Sequence, residues 1–176
     1  FLPSIRDYTS DSTPYIFYNS LDASTEPLTL VVDTYIVDSS NIEFEIVCYD
    51  PSGVTIDWGD NSSNIIDSSA IPQLISHPYD PSGSRTIRIT GHFTHFKIAD
   101  GKEMLTEIVQ FGDSGIRTLE EAFKDCTKLK SVKRYGNEEP LNQLTNISGA
   151  WSGCSSLTNM VILSPNVTIA NNAWKD

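Results

Sequence analysis

The feature that most constrains this chain is a repeat within its last third. Aligned on cysteine, EEAFKDCTKLKSV (120–132) lies over SGAWSGCSSLTNM (148–160). Ala122, Phe123, Cys126 and Leu129 then match Ala150, Trp151, Cys154 and Leu157, each 28 residues further on. A third copy opens at Asn172-Ala173-Trp174-Lys175-Asp176, with Ala173 standing 23 residues after Ala150. Ahead of the first copy, MLTEIVQFG (104–112) matches the strand half alone: Leu105 and Ile108 fall on Leu129 and Val132, and on Leu157 and Met160. Each unit has one apolar face and no second layer of its own, so it must stack on neighbours to bury that face.

This Ala-aromatic-x-x-Cys-x-x-Leu-x-x-hydrophobic unit, with a period in the twenties, resembles the BspA-type leucine-rich repeat over residues 104 to 176. The resemblance implies a short helix carrying the Ala and aromatic positions, with Cys and Leu facing the core ahead of a strand. Phe123 and Trp151 are then successive rungs of one core, with Cys126 and Cys154 beside them, and Trp174 opens the next rung. That last unit has no cysteine, leucine or strand of its own. The far end, beside Val161, Ile162 and Leu163, is therefore expected to be covered by further repeats or by another subunit.

Upstream, residues 28 to 98 read as strands. LTLVVDTYIV (28–37) and IEFEIVCY (42–49) are β-branched and aromatic, and the second alternates Ile42, Phe44 and Ile46 with Glu43 and Glu45. TIRITGHF (86–93) alternates in the same way, and turn signals at this spacing suggest a small β-sandwich. Within the stretch stand Asp57-Trp58-Gly59-Asp60 and, downstream, His77-Pro78-Tyr79. The pair, in this order, resembles the polycystic-kidney-disease-type (PKD-type) immunoglobulin-like domain, with Asn61 where a Gly is usual. On the residues themselves the motif is structural. Gly59 allows a tight turn, Asp57 and Asp60 accept backbone N–H groups, and Trp58 offers a large apolar plate to the core. The sharper alternative is a calcium site on Asp57 and Asp60, although a hard cation asks for about six or more oxygens and the motif supplies two carboxylates.

The architecture expected is thus mainly β with short helices. It comprises an N-terminal arm or leader (1–27), a PKD-like sandwich (28–98) and a short leucine-rich-repeat array (99–176). In the arm, Tyr15 to Tyr18 form an aromatic cluster in a polar, proline-broken segment, which either stays loosely ordered or adds a strand to a neighbouring molecule.

Several residues suggest chemistry and lose it on inspection. Gly112-Asp113-Ser114-Gly115 carries a serine-protease look, but it falls in a loop between a strand half and a helix half expected to open near Ile116 or Arg117. Ile116-Arg117 stand where that family continues with glycine and proline, and the chain is too short for two barrels. His95, Asp100 and Ser114 follow the order of a triad without any geometry to support one. His92 and His95, three apart in a strand, point to opposite faces and are expected to be partly exposed. The three cysteines, Cys48, Cys126 and Cys154, form no metal-ligand spacing and read as small buried hydrophobes. Cys126 and Cys154 sit at equivalent positions, where a disulfide or a reduced ladder would fit. Asn61, Asn146 and Asn166 head Asn-x-Ser/Thr triplets.

Charge narrows the partners. With 12 Lys+Arg against 23 Asp+Glu the formal net charge is -11, which repels phosphate and excludes groove-tracking nucleic-acid binding. No run of about 18 apolar residues is present to span a membrane. No catalytic residue and no cofactor is expected. A sandwich followed by repeats resembles the surface proteins of bacteria and phage virions, which implies a non-enzymatic attachment or decoration module. Its partners would be other copies, neighbouring virion or surface proteins, or a host-surface protein or glycan, and its place the virion or the cell exterior. The first alternative is a bacterial adhesin or filament subunit, and the second an accessory domain of a carbohydrate-acting enzyme.

Overall fold

The computed structural model describes residues 26–35, 41–79, 83–133, 141–161 and 164–174. The Tyr15–Tyr18 cluster, Ile162, Leu163, Lys175 and Asp176 lie outside them. The fold is mainly β, with two sheets and almost no helix, consistent with a β-sandwich. The strands are β1 (Leu28–Asp33), β2 (Asn41–Cys48), β3 (Val54–Asp57), β4 (Ser63–Ile66), β5 (Gln73–Pro78), β6 (Ser84–Thr90), β7 (Phe93–Asp100), β8 (Leu105–Gln110), β9 (Ser131–Val132) and β10 (Asn159–Met160). One sheet runs β10-β9-β8-β1-β6-β3-β4 and the other β5-β2-β7.

Alternation builds the two inner faces. Leu28, Leu30 and Val32 of β1, with Ile87 and Ile89 of β6, face Ile42, Phe44 and Ile46 of β2 across one continuous apolar core. A register shift between Val47 and Cys48 against β7 lets Phe93 and Phe96 both turn inward although they are three residues apart. β8 pairs antiparallel with β1 and parallel with β9, and β9 pairs parallel with β10. The strand halves of the repeating units therefore extend the sheet that β1 belongs to. The apolar cluster runs without a break from Leu28 to Ala173.

The register follows the repeat. Ile108 pairs with Val132 and Val132 with Met160. A second set of parallel bridges links His95 to Thr118, Thr118 to Asn146, and Asn146 to Ile169. Three stacked segments result, at 118–132, 146–160 and 169–174, called rungs below.

The short helices expected in each unit do not form. The only helix among the described residues is one 3₁₀ turn at Lys102–Met104, and residues 116–119 form no helix, carrying only an isolated bridge at Thr118 before the turns that begin at Glu120. In the first rung, Ala122, Lys124 and Cys126 donate back to Leu119, Glu121 and Phe123, as in a tight turn. The alternate N–H groups of Glu121, Phe123 and Asp125 leave the turn and donate to Ser148, Ala150 and Ser152 of the next rung, at 2.7–2.9 Å. A positive φ at every fourth residue drives this: Glu121 (52°) and Asp125 (64°), then Gly149 (61°) and Gly153 (76°), then Asn172 (52°). An α-helix needs every residue right-handed and uses its own carbonyls, so it cannot cross these positions.

Candidate functional site

The residues of the two motifs assemble at two places. Around Trp58, the turn between β3 and β4 is held by its own side chains. Gly59 N–H donates to Asp57 Oδ1 (2.9 Å), and Ser62 donates to Asp60 Oδ1 from both its N–H (3.0 Å) and its hydroxyl (2.6 Å). Gly59 has φ 77°, and a Cβ there would fall 2.5 Å from the Thr86 carbonyl, so only glycine fits. Asn61, in the place where the resemblance has a glycine, adopts φ 74°, a conformation Asn tolerates.

From this turn the Trp58 indole enters the core. It stacks on Phe44 (5.3 Å, 22°) and on His77 (4.5 Å, 9°), and its Nε1–H donates to Asn64 (2.7 Å). Tyr79 meets His77 edge-on and donates its hydroxyl to the Trp58 carbonyl at 2.8 Å. His77 Nε2 lies 2.8 Å from Asp60 Oδ2, which closes the loop from β5 back to the turn. Partial burial alone would raise the Asp60 carboxyl, but the hydrogen bonds from Ser62 and His77 outweigh it and hold Asp60 down to about 2. Burial pushes the Tyr79 phenol well above its ordinary range, so it remains a donor.

These contacts bear on the calcium reading of Asp57 and Asp60. Both carboxylates already bond the turn, and Asp60 also bonds His77. Among the described residues no group of three or more His, Cys, Asp or Glu gathers to hold a metal.

The triad-ordered residues do not meet. Ser114 is buried, its Oγ has no hydrogen-bond partner, and its carbonyl accepts Phe93 N–H at 2.8 Å. His95 Nε2 sits 2.9 Å from Glu45, while Asp100 accepts the N–H of Gly101. His92 pairs instead with Asp50 at 3.1 Å. None of these contacts directs a base at Ser114.

The second assembly is the rung interior. Phe96, Phe123, Trp151 and Trp174 form a ladder of rings, with centroids 5.8, 6.1 and 6.0 Å apart and interplanar angles falling from 41° to 20° to 11°. Cys126 and Leu129 are fully buried beside Phe123, and Cys154 lies beside Trp151 with its thiol directed at the Phe123 carbonyl (3.0 Å). The cysteines are free, and burial pushes both thiols up, Cys154 to about 11. Leu157 is only partly buried, unlike its counterpart Leu129.

Two contributors escape the repeat. Phe96 founds the ladder from within β7, and its only sequence cue is the Phe-Lys pair it shares with Phe123-Lys124. Glu121 receives Lys97 of β7 (3.0 Å), which clamps the first rung to that strand, and Lys124 of its own rung (2.7 Å). Those two hydrogen bonds, Lys124 first, hold its carboxyl down to about 2.

Both assemblies hold chain segments together. No helix among the described residues is long and apolar enough to cross a membrane. No protein-family model, curated protein or solved structure matches the chain.

Proposed function

We propose that this chain is a non-enzymatic structural and adhesion module displayed on the outside of a particle, most simply a phage virion appendage. A PKD-like sandwich serves as the rigid base and a short leucine-rich-repeat-like array is the part presented. The observation that carries this reading is the ring ladder from Phe96 to Trp174, which joins base and array through one core. Such a joint transmits load without a hinge, which suits a chain whose work is contact. The polar side chains that chemistry would need are engaged in structural pairs: Asp60 with Ser62 in its turn and with His77 of β5, and His95 of β7 with Glu45 of β2. A formal net charge of -11 keeps copies soluble and steers the module away from nucleic acid.

The test is immunogold labelling with an antiserum against the folded chain. Label on intact virions supports the proposal, and label on intact cells alone moves the module to a bacterial surface. Label confined to the interior of opened cells refutes display.

A further inference from the structure

The first two rungs share an interior and differ throughout on the outside. Ala122, Phe123, Cys126 and Leu129 recur as Ala150, Trp151, Cys154 and Leu157, and one register runs from Thr118–Asn146 to Val132–Met160. Residues 117–133 carry eight charged side chains, and all eight have an uncharged counterpart 28 residues on. Glu120, Lys124 and Lys128 give way to Ser148, Ser152 and Ser156, and Arg117 and Lys130 to Thr145 and Thr158. The other three give way to Gly149, Gly153 and Val161.

The fold does not ask for this exchange. The first rung bears its charges on the same turns, with left-handed residues at Glu121 and Asp125 as at Gly149 and Gly153. Even a local bond is matched: Glu120 N–H donates to Thr118 Oγ1 as Ser148 N–H donates to Asn146 Oδ1. What changes is what the surface can meet. Among the described residues from Ser148 to Thr158 there is no charge, and no large apolar side chain is exposed.

A flank of this chemistry selects its partner. The cores of protein interfaces are built on aromatic, Met and Arg anchors and are poor in Ser, the reverse of the side chains presented here. A phosphate, sulfate or carboxylate group asks for Arg or Lys, and the flank offers neither. A neutral sugar carries hydroxyls that both donate and accept, as serine and threonine do. It can lie here without stripping water from an unpaired charge, which the first rung would force.

We propose that the second-rung flank from Ser148 to Thr158 is a docking surface for an uncharged cell-surface polysaccharide. This rests on the display reading above and names its partner. The two fail separately, because labelling locates the chain while binding is read on the purified chain.

The full 1–176 chain is run in native gels cast with dextran, mannan or galactan, with dextran sulfate as the anionic comparison. At least one neutral polymer should retard it relative to a polymer-free gel, and dextran sulfate should not. Ser148→Glu combined with Ser156→Lys restores charges that the first rung carries, at unchanged net charge. That pair should weaken binding about tenfold or more. Ile65→Glu with Leu74→Lys, exposed at the sheet edges away from the rungs, should bind as the parent does. Circular dichroism confirms that each variant folds, and should the first pair fail, Ser156→Lys alone carries the test. A parent chain that no neutral polymer retards overturns the proposal and leaves the flank to a protein partner. Equal retardation by dextran sulfate overturns it too. So does binding that survives the restored charges, or that is lost with the far-edge pair.

Discussion

Replacing Trp151 with alanine is the sharpest test of the ring ladder. The indole is 2% exposed and lies between Phe123 at 6.1 Å and Trp174 at 6.0 Å, close to parallel with both. Truncating a buried Trp costs about 3–5 kcal/mol in transfer and cavity terms. Each ring pair adds about 0.5–1.5 kcal/mol beyond area, which favours the upper half of that range. One term opposes it: Trp151 Nε1 is buried without a partner, and removing an unsatisfied donor recovers about 1–3 kcal/mol. The expectation is therefore a loss of about 3–4 kcal/mol. For a chain of this size that lowers Tm by roughly 6–16 °C. Urea denaturation followed by far-ultraviolet circular dichroism measures it, with Trp151→Phe as the control. Phenylalanine keeps a ring in the stack and removes the orphan donor, so it should cost less than about half as much. Trp174→Ala should also cost less, because that ring is half exposed. An alanine variant melting within a degree or two of the parent, or a Phe variant as damaging as Ala, would refute the stacking argument.

Gly153→Ala distinguishes turns from helices by sign. At φ 76° with Asp125 against it, alanine should destabilise by about 1–2 kcal/mol, whereas in a helix it would stabilise by about 0.5–1 kcal/mol; thermal melts decide. Ser114→Ala should change stability by less than about 1 kcal/mol, since the buried Oγ has no partner, and a fluorophosphonate probe should not label the parent chain. Asp60 binds its proton more weakly folded than unfolded. Its contribution is thus fully present above the ordinary Asp range near 4 and is lost as pH falls through about 2. Asp60→Asn should flatten that part of the acid unfolding curve. Cys154, held up to about 11, should resist iodoacetamide at pH near 8 until the chain unfolds.

Much of this was legible along the chain. The 28- and 23-residue offsets between the repeats are the offsets of the bridges from Thr118 to Asn146 and from Asn146 to Ile169, because stacked units keep one pairing register per copy. The alternation of Ile42, Phe44 and Ile46 with Glu43 and Glu45 marks the buried face of β2, since strand side chains alternate. The glycines at 149 and 153, spaced four apart, carried the signal for left-handed turns, but Glu121 and Asp125 hid it in the first copy.

What only the tertiary structure decided concerns partners far apart in sequence. That β8 lies against β1, that Phe96 founds the ladder, that His77 lies on Trp58 and that Glu121 bridges Lys97 depend on contacts spanning from 19 residues, in His77–Trp58, to 81, in Thr29–Gln110. Periodicity tells which face of a segment is apolar. Which other face covers it is settled only when all the apolar faces are buried at once, and no local pattern records that choice.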